Sequence, residues 1–114
     1  MAEEHFKDGT LSGRGEYADG ERTGPWTFWF RNGRVKAEGV YKDGRLDGEW
    51  IWYREGGGLL QQGAFVEGLQ HGPWRRWHDS GELLDEGEYN AGKKTGEWVT
   101  YDKAGKETGR RTHR

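Results

Sequence analysis

The sequence predicts an all-β fold built as one antiparallel meander of stacked hairpins, and three observations predict it. The chain repeats itself every 24 residues. Glycine recurs too often within each repeat for a helix. The apolar material consists of a few large rings at fixed intervals rather than a dispersed set of aliphatic side chains.

The repeat is best seen in the segment Gly24–Asp47. Displaced by 24 residues, Trp26 falls on Trp50, Trp74 and Trp98, and Trp29 falls on Tyr53, Trp77 and Tyr101. Tyr41 falls on Tyr17, Phe65 and Tyr89, so three columns hold 12 of the 16 aromatic residues. Four glycine columns keep the same spacing: Gly9/Gly33/Gly57/Gly81/Gly105, Gly15/Gly39/Gly63/Gly87, Gly20/Gly44/Gly68/Gly92 and Gly24/Gly48/Gly72/Gly96. They hold 17 of the 21 glycines without an insertion or deletion. The 114 residues therefore divide into one repeat domain with units 1–23, 24–47, 48–71, 72–95 and 96–114, the end units incomplete.

Composition sets the kind of core. Leu, Ile, Val and Phe together number 16, in the range where disorder becomes a concern. A net charge of −2 gives little self-repulsion, and 14% aromatic residues supply rings that each bury about 150–250 Å². A thin, repetitive structure follows rather than two stacked layers. With no cysteine there is no disulfide framework and no thiolate metal site. The N-terminal MAEEHFKDG has no apolar run and no stretch approaches the length of a membrane span, so a cytoplasmic location is expected.

Within a unit, the aromatic segment around Trp26–Phe30 reads as a strand. Asn32-Gly33 then reads as a tight hairpin turn. Val35–Tyr41 alternates apolar and polar residues with period two, a half-buried strand. Lys42–Asp47 reads as a longer polar turn. Five such hairpins give roughly ten strands and a sheet roughly 40–50 Å long at ~4.8 Å per strand. Gly15, Gly39, Gly63 and Gly87 are expected to lie under rings of a neighbouring strand, which would explain why that column has no side chain. The structural ladders are thus Trp26, Trp50, Trp74 and Trp98, these four glycines, and Tyr17, Tyr41, Phe65 and Tyr89. Trp26 and Trp29 are an odd number of residues apart. Either both faces carry rings, or a bulge after Trp26 brings the two columns to one face.

The segments GPWTFW (Gly24–Trp29), GVYKDG (Gly39–Gly44), GEWIWY (Gly48–Tyr53), GAFVEG (Gly63–Gly68), GPWRRW (Gly72–Trp77), GEYNAG (Gly87–Gly92) and GEWVTY (Gly96–Tyr101), with GEYADG (Gly15–Gly20), carry a pattern that resembles the MORN repeat family in its bacterial variant form. The pattern fails only at the ends, where Ala2 stands at the tryptophan position and Arg111 at the strand glycine. The resemblance implies a one-layer stack of hairpins used as a binding scaffold, with no catalytic activity and no cofactor. It also implies a protein partner, a toxin or effector among the candidates, since many variant members are labelled antitoxins. Self-association and phospholipid contact are further family associations.

The residues themselves point away from chemistry. His5, His71, His78 and His113 have no metal-ligand spacing. His78-Asp79 aligns with Phe30-Arg31 and Arg54-Glu55, a freely varying pair that reads as solvated surface. Asp85, Glu86 and Glu88 imply no pocket, and Glu55-Gly56-Gly57-Gly58 lacks the Lys-Ser/Thr of a phosphate loop. Unit charges run −3, +2, −2, −1 and +2, counted over the five units in order, and only Gly109–Arg114 forms a basic run. No continuous basic face for nucleic acid or membrane is expected. Phe6, Phe28, Phe30 and Trp52 lie outside the three ring columns, and the repeat does not require them. Phe28, Trp29, Phe30, Trp52, Tyr53, Arg76 and Trp77 are accordingly expected to form the partner-binding surface. Two alternatives stand beside it: a homodimer formed through sheet edges or faces, and recognition of lipid or carbohydrate by the ring ladders.

Overall fold

The computed structural model describes residues Met1–Arg114. All ten strands belong to one antiparallel sheet, and their spatial order is their chain order. They are β1 (Ala2–His5), β2 (Leu11–Ala18), β3 (Glu21–Trp29), β4 (Val35–Lys42), β5 (Arg45–Tyr53), β6 (Leu59–Val66), β7 (Leu69–Trp77), β8 (Leu83–Asn90), β9 (Lys93–Tyr101) and β10 (Glu107–His113). The sheet measures 43 × 30 × 16 Å, and its length is that of ten strands side by side. Only ten residues are buried, so the ribbon is one layer thick.

Two turn types alternate along it, and they exchange the roles assigned from sequence. The Asn32-Gly33 turn is a three-residue loop: Gly33 donates to Phe30 O at 3.0 Å, Phe30 donates to Arg34 O at 2.8 Å, and only Gly33 has positive φ. Asn32 is held instead by its side chain, whose Oδ1 accepts from the Arg34 amide at 2.9 Å. The segment Lys42–Asp47 is not a long turn. It contains the two-residue turn Asp43-Gly44, with φ of 51° and 79°, the mirror-image geometry that fits twisted strands. Asp19-Gly20, Glu67-Gly68 and Ala91-Gly92 repeat it. The odd-numbered strands therefore begin earlier than the Trp26–Phe30 reading, at Glu21 in β3.

Each junction between units carries one irregularity. Glu38 of β4 pairs with Ile51 of β5, but Val40 pairs with Asp47. Gly39 thus faces three residues, Gly48, Glu49 and Trp50, and Gly48 sits at φ 65°. The bulge precedes the tryptophan. From Trp26 to Phe28 the pairing with β4 is regular, so Trp26 and Phe28 share a face. A second irregularity, with Lys36 the extra residue on β4, falls between Phe28 and Trp29. Tyr53 and Tyr101 of the Trp29 column meet Glu38 and Glu86 on the other face. Both faces carry rings.

Candidate docking face

The bulge folds each tryptophan back over the preceding strand. A Cβ on Gly15, Gly39, Gly63 or Gly87 would lie well under 3.0 Å from the indole of Trp26, Trp50, Trp74 or Trp98 respectively. None of these four glycines has positive φ, so the reason for glycine is the ring and not the backbone. The indole N–H then bonds the carbonyl of the residue after the glycine: Trp26 to Glu16 at 3.0 Å, Trp50 to Val40 at 2.9 Å, Trp74 to Ala64 at 3.1 Å and Trp98 to Glu88 at 3.1 Å. One large ring in each unit thus replaces a missing second layer and satisfies its own polar atom.

The tyrosine column packs edge-on against these indoles. Tyr17–Trp26, Tyr41–Trp50, Phe65–Trp74 and Tyr89–Trp98 centroids lie 5.3, 5.1, 5.2 and 5.2 Å apart. His113 continues the column, edge-on to Trp98 at 6.5 Å. Its place, 24 residues after Tyr89, was visible in the period.

Phe28 and Trp52, which the repeat does not require, stand between successive indoles. The rings run Trp26, Phe28, Trp50, Trp52, Trp74 with successive centroids 5.7, 6.4, 5.7 and 5.9 Å apart. The same column holds Glu4 in β1, Arg76 in β7 and Thr100 in β9, so the stack stops at Trp74. There Arg76 donates to both carboxylate oxygens of Asp85, at 3.0 and 2.5 Å, and Asp85 is 5% exposed. The Arg76 guanidinium is held above its ordinary pKa by that hydrogen bond, against the opposing effect of burial. At the N-terminal end Arg22 lies over Trp26 and Phe28, each at 5.1 Å, and bonds Glu4 at 2.8 Å. Burial raises the Glu4 carboxyl, but bonds from Tyr17 and Arg22 outweigh it and bring it below the ordinary value.

The seven residues expected to form one surface therefore divide. Phe28, Trp52 and Arg76 belong to the ring face. Trp29, Tyr53 and Trp77 share a column with Tyr101, and this column divides from the ring face. Tyr53 approaches Glu38 and Tyr101 bonds Glu86 at 2.9 Å on the opposite side, while Trp29 still borders a groove lined by Phe28 and Trp52. Phe30 lies past the end of β3 at a hairpin tip, with the Lys36 ammonium 5.9 Å from its ring centre.

The reading of His78 as solvated surface is also corrected. Its Nε2 contacts Tyr101 O at 2.8 Å, just as Arg54 donates to Trp77 O at 2.9 Å and Asn32 to Glu55 O at 3.0 Å. These bonds tie each hairpin tip to the next. His78 and Arg54 share one column, and Asn32 shares another with Ser80, which bonds Lys103 O at 2.8 Å. The residue types vary but the bond recurs, which is why the His78 column looked uncommitted.

The family described as MORN repeat variant matches residues 22–43 and 70–91. These are variant MORN repeats. The two matched stretches lie two periods apart, and the 24-residue spacing carries the same pattern through the intervening unit. No curated protein matches the chain. MORN repeats are non-catalytic interaction scaffolds, and the chain has no group of three His, Asp or Glu placed to hold a metal ion. No helix is long and apolar enough to cross a membrane.

Proposed function

We propose that this MORN-repeat chain is a docking module that presents its ring face to a protein partner and inhibits or positions it, in the manner of an antitoxin. One observation carries the reading. The rings of Phe28, Tyr41 and Trp52 are only half-buried, on a sheet face with no second layer to cover them. A contiguous apolar patch of this kind is characteristic of partner sites, and aromatic anchors dominate their binding energy. The acidic and basic units give no uniform field for nucleic acid. A cytoplasmic setting agrees with this reading.

Affinity capture from the source cell tests it, using wild type and a Phe28→Thr/Trp52→Thr variant. Threonine is what the chain itself carries at Thr100 in the same column, so the fold tolerates it. A stoichiometric protein held by wild type and lost by the variant is expected. Equal capture by both, or no partner at all, counts against the proposal. The same uncovered face also favours a second reading, a face-to-face homodimer. Sedimentation over a concentration range decides it, since a strict monomer at high concentration removes it.

A further inference from the structure

The ring face is not uniform. Its fold-building columns, tryptophan, glycine and tyrosine, recur in every complete unit, but two others change along the ribbon. One runs Glu4, Phe28, Trp52, Arg76, Thr100 and the other Gly13, Ala37, Gln61, Asp85, Gly109. Where the first is aromatic and the second small, a shallow groove of about 400 Å³ opens, floored by Ala37 and walled by Phe28 and Trp52. Two units further on, the same two columns hold the Arg76–Asp85 pair, and the space shrinks to about 220 Å³ with a mostly polar lining. The groove is therefore local to the first half of the ribbon.

Its charge is equally local. The one carboxylate that lines it is already engaged, since Glu4 bonds Arg22. The cations at its rim are not. Lys36 lines the groove and makes no ion pair, and Arg31 lies 5.0 Å over the ring of Phe6, another lining residue. Arg31 forms no salt bridge and faces only the exposed Asp8 carboxylate, already hydrogen-bonded by Thr10. Further along the face Lys94 lies 4.6 Å over Trp98 without a carboxylate partner. On a molecule of net charge −2, an apolar groove edged by unengaged cations is complementary to an acidic ligand with an apolar anchor.

We propose that this groove receives an acidic linear segment of a protein partner, an aliphatic or aromatic side chain entering over Ala37 between Phe28 and Trp52 while neighbouring carboxylates meet Lys36 and Arg31. This rests on the docking function proposed above and names the chemistry of the docked segment. Two units further on, Asp85 against Arg76 is this chain's own version of a carboxylate buried on that face.

The test is selection of a random twelve-residue displayed peptide library on the immobilised protein, followed by fluorescence titration of the enriched peptides. Enriched peptides are expected to pair Asp or Glu with a central Leu, Ile, Phe or Trp. Trp52→Thr is expected to weaken them about tenfold or more, as for an aromatic anchor. Lys36→Glu, an exposed change that leaves the ring stack alone, is expected to weaken them about threefold or more, with the loss shrinking at high salt. Circular dichroism and indole fluorescence of both variants check that the fold is kept. Enrichment without acidic bias, peptides indifferent to both substitutions, or no enrichment would overturn the groove assignment. The general docking function stands or falls separately on the cellular capture. A partner captured there through the ring face, with no acidic peptide selected here, sinks the ligand chemistry and leaves the function.

Discussion

The contact that makes a one-layer sheet stable is an indole resting on bare backbone. Trp50 is 2% exposed although it has no second sheet above it, because Gly39 lets the ring descend onto β4. Trp50→Ala is expected to cost about 3–5 kcal/mol in urea denaturation. Gly39→Ala, at a position whose φ any residue adopts, is expected to cost about 1–3 kcal/mol through the collision alone. In a double-mutant cycle the second cost should largely vanish once Trp50 is alanine. Additive costs would mean that Gly39 serves the backbone instead. This pairing was legible from sequence, since both columns share one period. The identity of the covering strand was not, because it depends on a bulge created by Gly48 at φ 65°. Titration acts at the same scale. Burial holds the Tyr41 hydroxyl above the ordinary phenol value, and hydrogen bonds to Glu4 and Glu86 do the same for Tyr17 and Tyr101. The folded state then binds these protons more tightly than the unfolded chain. Their contribution is complete below the ordinary phenol pKa and is lost as pH rises through the folded values. Glu4, held low, contributes above the ordinary carboxyl pKa and loses that contribution as pH falls through its folded value. Melting temperature against pH should therefore fall on both sides of neutrality, with the alkaline fall shallower in Tyr41→Phe.

At the scale of elements, the two turns explain what the sequence led to and what it hid. Asn-Gly is a strong hairpin signal and it does mark a hairpin, but Asn32 spends its side chain on the Arg34 amide and keeps negative φ. The mirror-image turn falls at Asp43-Gly44, inside a polar run that has no apolar boundary to reveal it. Ala91 occupies the equivalent of Asp43 at φ 49°, where a Cβ costs about 1–2 kcal/mol and no polar side chain compensates. Ala91→Asn or Ala91→Gly should recover about 0.5–1 kcal/mol in chemical denaturation. The ring stack offers a second check. Arg76 and Asp85 occupy the columns of Phe28 and Ala37, and Arg76 is half exposed while Asp85 is not. Arg76→Ala strands a buried carboxylate and should destabilise clearly more than Asp85→Ala, which leaves a guanidinium able to reach water. The double change Arg76→Phe/Asp85→Ala extends the rings beyond Trp74 and should match or exceed wild type in stability. The partner surface was the least legible feature. Which of the rings between Trp26 and Trp29 share a face depends on where the strand is irregular, and the sequence does not reveal that.

Across the whole molecule, stability must be read as a one-dimensional sum, because each strand pairs only with its neighbours in chain order and side chains such as Arg22, Phe28 and Trp52 reach no further than the strand beyond. No contact closes the ribbon, so its two ends open more easily than its middle. The ends are also unequal. β10 is paired along Glu107–His113, but β1 contributes only Ala2–His5. The tips of later hairpins are bonded to the next, Asn32 to Glu55, Arg54 to Trp77 and His78 to Tyr101, whereas the first tip meets the second through Arg31 over the Phe6 ring. What holds β1 is the Glu4 carboxylate between Tyr17 and Arg22. Amide hydrogen exchange by mass spectrometry should accordingly be slowest in β4–β7, faster in β9–β10 and fastest in β1, the first and last differing by about tenfold or more. Glu4→Gln weakens the clasp without removing its volume. It should speed exchange in β1 and the adjacent part of β2 and leave β6–β8 unchanged. Uniform protection from β1 to β10, or a response to Glu4→Gln that reaches β8, would mean that the ribbon opens as one unit, and the nearest-neighbour description of its stability would fail.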